Sequence, residues 1–313
     1  MAVNKPAVKH EMNIFRLMED FDTDAECRAA LEELRWPGGI ECPRCESRKI
    51  SRIAARNQFD CDSCRYQFSV LVGTVFQDSK LPLQKWFMAT YLMCESRKGM
   101  SANQLKRTID VSYKTAWFLC HRIRAAMADL NPEPLTGVVE VDETFVGGLA
   151  KNMHKADRAR RIHGTGGLDK VMVLGAMERG GMVRFKVENH RDRATLHSFI
   201  ASTVDDDATA IYTDEFSGYV GVGDENTRHE TVSHGADEWV RADVHTNTVE
   251  GVWSLFKRSI VGSYHRLSTK HMEAYLAEMA WRFNNRENPH LFRDTLTRLV
   301  NSENLEYKEL IAQ

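Results

Sequence analysis

Four cysteines arranged in two close pairs constrain this chain more than any other feature of its sequence. Cys42 and Cys45 form the first pair and Cys61 and Cys64 the second, in the pattern C-x2-C-x15-C-x2-C. Each C-x2-C turn directs two thiolates at one point, so two turns complete a tetrahedral four-sulfur shell around zinc. Because protein sulfur fills every position, the pattern predicts one structural Zn²⁺ ion. Chance pairing or a redox dithiol is the alternative, but a redox pair needs no second copy.

Length and composition limit the class of protein. The 313 residues are 42% hydrophobic and allow two or three domains. The seven cysteines are odd in number and no apolar segment follows the first residues, so we expect neither a disulfide framework nor a secretory signal. The sequence contains no run of about 18 apolar residues, which argues against a membrane-spanning helix and a membrane partner.

Charge is distributed unevenly along the chain. The stretch 36–130 contains 15 Lys and Arg against 8 Asp and Glu, although the whole chain has a net charge of −2. A basic front half suits a polyanion, and an acidic remainder suits cations. Ordinary surface charge would give the same counts, so charge alone does not decide the function.

Changes in composition and periodicity divide the chain into four parts. We predict an N-terminal helical segment over 1–36, a zinc ribbon over 37–76, a helical region over 77–131 and an α/β domain over 132–313. In the last part we expect alternating elements, with strands at 138–146, 170–179, 181–189 and 208–213 and helices at 194–204 and from 246 onwards. The basic stretch 149–167 lacks periodicity and is interpreted as a loop.

Two short helices joined by a turn are predicted between Ser101 and Met127. Ser112 is a suitable N-cap for the second helix. One stripe of that helix is apolar, and the other carries four residues that suit a polyanion groove, namely Lys114, Trp117, His121 and Arg124. This layout is typical of a helix-turn-helix unit that reads DNA, although an amphipathic helix with a solvated face has the same periodicity. Arg44 and Arg48 in the ribbon fit DNA binding or, equally, a solvated face.

Three acidic residues far apart in the sequence are candidates for one site. Asp142 lies in the apolar run 138–146, and Asp214 directly follows the β-rich run 208–213. Glu250 lies on the predicted helix that begins at about residue 246. A carboxylate inside an apolar strand is costly unless its charge is satisfied. In an RNase H-like sheet the first and fourth strands are neighbours, which would bring the three acids together. Taken singly, each acid has an ordinary explanation as a cap, a surface residue or a carboxylate bonded to a backbone amide.

A converged acidic triad requires cations, because three like charges repel one another. Hard oxygen ligands suit Mg²⁺ or Mn²⁺, and two such ions about 3.5–4 Å apart would clamp a scissile phosphate. Lys257, two turns after Glu250, would hold a DNA phosphate beside them. His245 and Asn247 lie beside Glu250 in the same motif and either orient a ligand carboxylate or a phosphate, or cap the helix.

Several ordered motifs together resemble a known family. The cysteine pattern is followed by SANQL, VSYKTAW and HRIR, and then by VDETFVGG, YTDEFSGY and HTNTVEGVWSLFKR. From about residue 12 to about residue 290, the chain resembles a bacterial insertion-sequence transposase of the zinc-ribbon DDE type, with an ISXO2-like transposase domain. The resemblance implies an acidic triad at Asp142, Asp214 and Glu250, followed by a lysine at Lys257. It also implies an α/β, RNase H-like mixed-sheet catalytic domain preceded by a zinc ribbon and a helix-turn-helix region.

From this resemblance we expect a DNA transposase that binds element ends, hydrolyses a phosphodiester to free a 3′-OH and transfers that 3′-OH to target DNA. The expected partners are double-stranded DNA and, on DNA, a homodimer or higher assembly of the chain. The expected location is cytoplasmic and nucleoid-associated. Two alternatives remain open: a catalytically silent zinc-ribbon regulator derived from a transposase, and an RNase H-fold nuclease without strand transfer.

Overall fold

The computed structural model describes residues 11–147, 170–233, 235, 238 and 240–312, so the loop interpreted at 149–167 lies outside the described residues. The chain divides into two compact units. Unit 1 comprises Met1–Ala128 together with Asn285–Gln313, and unit 2 comprises Asp129–Asn284. Within the described residues, no helix combines the length and the apolar character needed to cross a membrane.

The first part of unit 1 is helical on both sides of the ribbon. Its helices are α1 (Ile14–Asp20), α2 (Asp24–Arg35), α3 (Leu83–Glu95), α4 (Ala102–Thr108) and α5 (Tyr113–Met127). Thr23 and Glu26 form a reciprocal capping box at the start of α2. The Ser112 hydroxyl accepts a hydrogen bond from Thr115 N at 3.1 Å, which confirms the predicted N-cap of α5.

The ribbon between α2 and α3 is a small antiparallel sheet. Its strands are β1 (Ile50–Ile53), β2 (Gln58–Cys61) and β3 (Gln67–Phe68), in that order. Phe59 and Phe68 are buried, and the Trp36 ring lies edge-on to both at centroid distances of 5.7 and 6.0 Å. This aromatic cluster is too small to hold the strands together without additional support.

The C-terminal helices α9 (Leu291–Asn301) and α10 (Tyr307–Ala312) belong to unit 1. Helix α9 packs against α2, α3 and α5, and Arg298 Nη1 donates to Ala128 O at 3.2 Å. The single domain predicted over 132–313 is therefore not observed. The reason is that the apolar stripe of α9 predicts burial, but its sequence does not reveal which core the helix completes.

Unit 2 contains a five-stranded mixed sheet. Its strands are β4 (Val138–Val146), β5 (Val171–Glu178), β6 (Val183–Glu188), β7 (Ala210–Asp214) and β8 (Arg228–Val232), in the order β6-β5-β4-β7-β8. The pairs β4–β5 and β5–β6 are antiparallel, whereas β4–β7 and β7–β8 are parallel. The first and fourth strands of the unit are thus neighbours, which confirms the α/β, RNase H-like fold class.

Helices cover both faces of this sheet. Helix α6 (Arg193–Thr203) forms one core with Val139 and Val141 of β4. Helices α7 (Asn247–Ser259) and α8 (Met272–Asn284) form the other core with residues of β5 and β6. One turn of π-helix, Ile260–Tyr264, follows α7 directly. The even-numbered residues of β4 consequently face α7, the helix that carries Glu250.

Two features of the sheet differ from the sequence-based expectation. Strand β8 was not predicted, because it is a short edge strand in which only Val232 is buried. Strand alternation predicts that Phe145 points to the same side of β4 as Val139 and Val141, yet Phe145 is 41% exposed whereas those two residues are buried. The ladder between β4 and β7 ends at Glu140, so the last residues of β4 have only β5 as a paired neighbour.

Candidate functional site

The four thiols of the ribbon lie close to one point. Their sulfur atoms are all within 4.8 Å of one another. Cys42 Sγ is 3.7 Å from Cys64 Sγ, and Cys45 Sγ is 3.6 Å from Cys61 Sγ. A tetrahedron with Zn–S bonds of about 2.3 Å has edges of about 3.8 Å, so this donor set fits one structural zinc ion.

The same backbone turn forms both cysteine pairs. Glu46 N donates to Cys42 O at 2.8 Å, and Arg65 N donates to Cys61 O at 2.7 Å. Glu46 and Arg65 each follow the second cysteine of a pair, and their φ angles of 59° and 58° lie in the left-handed region. Two equivalent turns therefore present four sulfur atoms from opposite sides of the site.

Adjacent ends of β4 and β7 carry an acidic cluster. The ladder between these parallel strands ends at the pair Glu140 and Tyr212, and Asp142 and Asp214 each lie two residues further along their strands. This equal offset brings together two aspartates that 71 residues separate in the sequence. Oxygen atoms of Asp142, Glu143 and Asp214 lie within 4.8 Å of one another.

Asp142 is oriented by an indole from helix α7. Trp253 Nε1 donates to Asp142 Oδ2 at 2.9 Å. Gly175, the partner of Asp142 in β5, leaves room for this ring, because a Cβ atom there would lie 2.5 Å from Trp253 Cζ2. The helical spacing of Trp253 with Val249, Val252 and Phe256 predicts a buried apolar stripe and does not indicate a contact with Asp142. The available signal was the glycine inside an apolar strand, which marks a close approach by another group.

Glu143 was not among the predicted site residues. Its carboxylate accepts a hydrogen bond from Tyr219 Oη at 2.6 Å and forms an ion pair with Arg191. Arg191 Nη2 also lies 3.4 Å from Asp214 Oδ2, so one guanidinium contacts two acids of the cluster. Because consecutive side chains of a strand point to opposite faces, the sequence pattern does not indicate that Glu143 reaches the same cluster as Asp142.

Glu250 and Lys257 line the same pocket as Asp142 and Glu143, a cavity of about 550 Å³. Glu250 Oε1 accepts a hydrogen bond from Thr246 Oγ1 at 3.1 Å. The acidic cluster found in the described residues does not include Glu250, which instead forms part of the pocket wall. Lys257 is exposed on α7 beside Arg258, a second cation of the pocket that sequence reasoning missed.

The electrostatics of the cluster favour a cation. Burial and the neighbouring Glu143 raise the pKa of Asp142 to about 7. Burial also raises the pKa of Glu143, although Tyr219 and Arg191 oppose that effect. Closely spaced carboxylate oxygens are the hard ligands that Mg²⁺ and Mn²⁺ prefer, so the donor set fits such an ion.

We expect stabilisation of the chain by Mg²⁺ to increase with pH up to about 7 and to level off above it. A metal ion competes with a proton for Asp142, whose pKa of about 7 exceeds the ordinary value of 3.8. In the metal-free chain, the stability contributed by the protonated carboxyl is fully present below pH 3.8 and is lost as the pH rises through about 7. Thermal unfolding midpoints with and without Mg²⁺, from about pH 5.5 to about pH 8.5, measure both effects. A metal-induced shift that does not change over this range would contradict the expectation.

Helix α5 places the four predicted DNA-contacting residues at different depths. Lys114 is exposed, and its Nζ lies 4.4 Å from the centre of the Tyr307 ring. Trp117 is half-buried. His121 and Arg124 are each only 1% exposed, which contradicts the prediction that both face DNA. Because α3, α4 and α9 all pack against α5, its buried face is wider than its apolar stripe indicates.

The two ribbon arginines of the prediction are on the surface. Arg48 Nε donates to Glu41 Oε1 at 2.7 Å, and the Arg44 guanidinium lies 6.0 Å from the centre of the Tyr66 ring. Their contact with DNA stays a prediction. His245 does not reach the acidic cluster: its Nδ1 lies 3.1 Å from Oε1 of the buried Glu140.

Two family models match the parts of the chain that contain the four cysteines and the acidic cluster. Residues 134–284 match the model of the ISXO2-like transposase domain, and residues 22–67 match the transposase zinc-ribbon domain. The chain is also similar to a protein of Halobacterium salinarum named "Uncharacterized protein in transposable element ISH50". The two are 32% identical over 265 residues, which cover 80% of this chain and 88% of that relative. The chain therefore belongs to the family of insertion-sequence transposases that combine a zinc ribbon with an ISXO2-like transposase domain.

Proposed function

We propose that the chain binds the ends of its own element, cuts DNA strands there and joins them to a target. The cluster of Asp142, Glu143 and Asp214 carries this proposal, together with the pocket that Glu250 also lines. Carboxylates at this separation repel unless cations lie between them, and phosphodiester chemistry is a principal use of paired divalent cations. The family membership of the chain supports the same conclusion.

The residues of the pocket divide into ligands and supporting groups. Asp142 and Asp214 would hold two divalent cations, and Glu250 would complete the site from α7. When bound, Mg²⁺ or Mn²⁺ supplies activation of the attacking oxygen and stabilisation of the leaving oxygen. Glu143 already has two partners, Arg191 and Tyr219, which favours Glu250 over Glu143 as the third ligand.

The remaining groups of the pocket position DNA. Lys257 and Arg258 lie on the same wall as Glu250 and place two positive charges where a phosphate backbone would run. The Trp253 indole holds one oxygen of Asp142 by a hydrogen bond and so limits rotation of that carboxylate. The protein therefore contributes to the reaction by positioning DNA and the metal ligands and by supplying charge. No covalent bond between DNA and the protein is required.

The reaction proceeds in two displacements at phosphorus. Water first attacks the phosphodiester at the element end, the P–O bond to the 3′ oxygen breaks, and the element strand is left with a 3′-OH. That 3′-OH then attacks a phosphodiester of the target. A new P–O bond forms, and the target's own 3′ oxygen leaves as a hydroxyl.

The surface of α4 and the first turn of α5 is the part of unit 1 best suited to a DNA groove. Lys106 and Arg107 are exposed on α4, and Lys114 is exposed on α5. In helix-turn-helix proteins the N-terminal residues of the second helix contact the base edges. Arg44 and Arg48 of the ribbon supply further contacts with phosphates.

Replacing Lys114 by alanine is expected to weaken binding to end DNA about tenfold at moderate salt. The dependence of log Kd on log salt should also become shallower by about one, because one phosphate contact is lost. Lys186 is a matched control, since it is a surface lysine on β6 of unit 2 and Lys186→Ala should leave the affinity unchanged. Fluorescence anisotropy at several salt concentrations gives both quantities. Equal slopes for Lys114→Ala and the parent chain would count against this surface.

One assay with the purified chain tests the proposed function. A labelled duplex made from the DNA that flanks the gene is incubated with the chain, Mg²⁺ or Mn²⁺, and an unlabelled target. We expect a cleaved product and a joined product, and Glu250→Ala should bind the duplex but form neither. Binding without cleavage would identify a regulator, and cleavage without joining would identify a nuclease. Two ends must meet for joining, so we expect at least a dimer of the chain on DNA.

A further inference from the structure

Glu140 is a buried carboxylate for which the proposed chemistry has no direct use. It lies in the middle of β4, two residues before Asp142 and on the same face of the strand, and its side chain is 0% exposed. Burying a carboxylate is costly unless charged and hydrogen-bonding partners surround it. Its partners therefore indicate what the residue does.

The carboxylate of Glu140 caps helix α7 from outside the helix. Its Oε2 accepts hydrogen bonds from Thr248 N at 2.7 Å and from Val249 N at 3.0 Å. Its Oε1 accepts from Thr248 Oγ1 at 2.8 Å. The local N-cap residue, Thr246, makes no side-chain capping bond, so a strand residue satisfies two N–H groups of the first turn, those of Thr248 and Val249. A negative charge at this position also complements the helix dipole.

Arg179 extends this connection to the segment that precedes α7. Its Nε donates to Glu140 Oε1 at 2.7 Å. Its Nη1 donates to Asp243 O and its Nη2 to His245 O, at 2.7 and 2.9 Å. The guanidinium thus joins the Glu140 carboxylate to the backbone that leads into the helix.

Helix α7 is held against β4 at two points, one on each side of Glu250. The first is the contact of Glu140 with Thr248 and Val249, immediately before Glu250. The second is the hydrogen bond from Trp253 to Asp142, three residues after Glu250. The relative position of Glu250 and Asp142 is therefore set by hydrogen bonds as well as by apolar packing.

We propose that Glu140 is a positioning residue that sets the location of Glu250 relative to Asp142 by capping α7. This inference rests on the proposed function, because it takes Glu250 and Asp142 to be ligands of one metal site. Residues that orient metal ligands typically change metal affinity about 10–100-fold when they are replaced. Glu140 would act on the metal site without touching the metal.

The test uses the full, zinc-loaded chain and the variant Glu140→Gln. Glutamine keeps the shape of the side chain, but its amide nitrogen cannot accept from Arg179 Nε or from the N–H groups of Thr248 and Val249. We expect the half-saturating concentration of Mg²⁺ or Mn²⁺ to rise about tenfold. We also expect a lower kcat for cleavage at saturating metal, with an unchanged KM for DNA. In the zinc-loaded chain without Mg²⁺ or Mn²⁺, the resonance of a fluorinated tryptophan at position 253, assigned with Trp253→Phe, should shift.

Glu278 provides a matched control. It is a buried carboxylate on α8 of the same unit, 0% exposed, and it forms an ion pair with Arg282 at 3.3 Å. Glu278→Gln should lower stability by a similar amount without changing the half-saturating metal concentration or the Trp253 resonance. Should Glu140→Gln fail to fold, Thr248→Val removes only the 2.8 Å hydroxyl contact, and we expect it to raise the half-saturating concentration by a smaller factor.

The outcomes separate this inference from the proposed function. If the parent chain cleaves DNA and Glu140→Gln matches Glu278→Gln in metal response, cleavage and the Trp253 resonance, the positioning role is overturned and the proposed function stands. If the parent chain neither binds metal nor cleaves DNA, the proposed function is wrong. In that case an unshifted Trp253 resonance in zinc-loaded Glu140→Gln without Mg²⁺ or Mn²⁺ overturns the capping role, and a shifted one supports it.

Discussion

Replacing Asp142 by asparagine is expected to abolish DNA cleavage and at the same time to stabilise the metal-free chain near pH 8. Metal ions supply several kcal/mol of transition-state stabilisation, so loss of a ligand should lower the cleavage rate about 10³-fold or more. In the metal-free chain, Asp142 is ionised at this pH although burial and Glu143 oppose its charge. Asparagine removes that repulsion, and its oxygen still accepts from Trp253 Nε1. We expect a gain of about 1–2 kcal/mol in the free energy of unfolding.

Chemical unfolding at about pH 8 and at about pH 5 measures this gain. The chelator used must remove Mg²⁺ and Mn²⁺ but leave zinc bound to the ribbon. The advantage of Asp142→Asn should shrink at the lower pH, because the parent carboxyl is then largely protonated. Addition of Mg²⁺ should stabilise the parent chain and have little effect on the variant. A variant that is less stable than the parent at both pH values would show that Asp142 is not under electrostatic strain.

Removal of zinc is expected to unfold the ribbon and to lower the affinity for end DNA about a hundredfold, while unit 2 remains folded. The strands of the ribbon are two to four residues long, and its apolar core consists of a few aromatic rings. Structural zinc contributes folding free energy directly in such modules. Metal analysis should find about one zinc per chain, and Cys61→Ala should lose it.

Fluorescence of Trp36, which packs against Phe59 and Phe68, reports on unfolding of the ribbon. Cys27→Ala is the matched control, because Cys27 is also fully buried but lies on α2, outside the four-cysteine cluster. This control should keep its zinc and its DNA affinity. End-DNA binding that survives in zinc-free protein would show that α4 and α5 bind DNA without the ribbon.

Features that depend on local spacing could be predicted well. The zinc centre follows from two short turns that any chain with this cysteine pattern can form. Asp142 could be found because a carboxylate inside an apolar strand needs a partner that satisfies its charge. Asp214 could be found because it ends a strand of the same sheet. Trp253 and Gly175 could not be paired in advance, since nothing local connects a helix residue with a glycine of β5.

Residues whose role depends on which elements pack together were predicted less well. His121 and Arg124 have the spacing of an exposed stripe, yet they are buried. Strand alternation assigns Glu143 to the face of β4 opposite to Asp142, although an oxygen atom of Glu143 lies in the acidic cluster at the end of β4. No sequence feature distinguishes Glu140 from the other acidic residues of β4, and only its contacts with α7 indicate a role.

The sequence by itself determined the four-cysteine ribbon, the strands β4 to β7, and the two aspartates at the ends of β4 and β7. Cysteine spacing, helical and strand periodicity, and capping residues all act over short distances along the chain. The tertiary structure alone decided that α9 and α10 complete unit 1, that Glu143 joins the acidic cluster, and that Glu140 caps a helix more than a hundred residues away. These outcomes depend on which surfaces bury one another, and burial is a property of the folded chain as a whole.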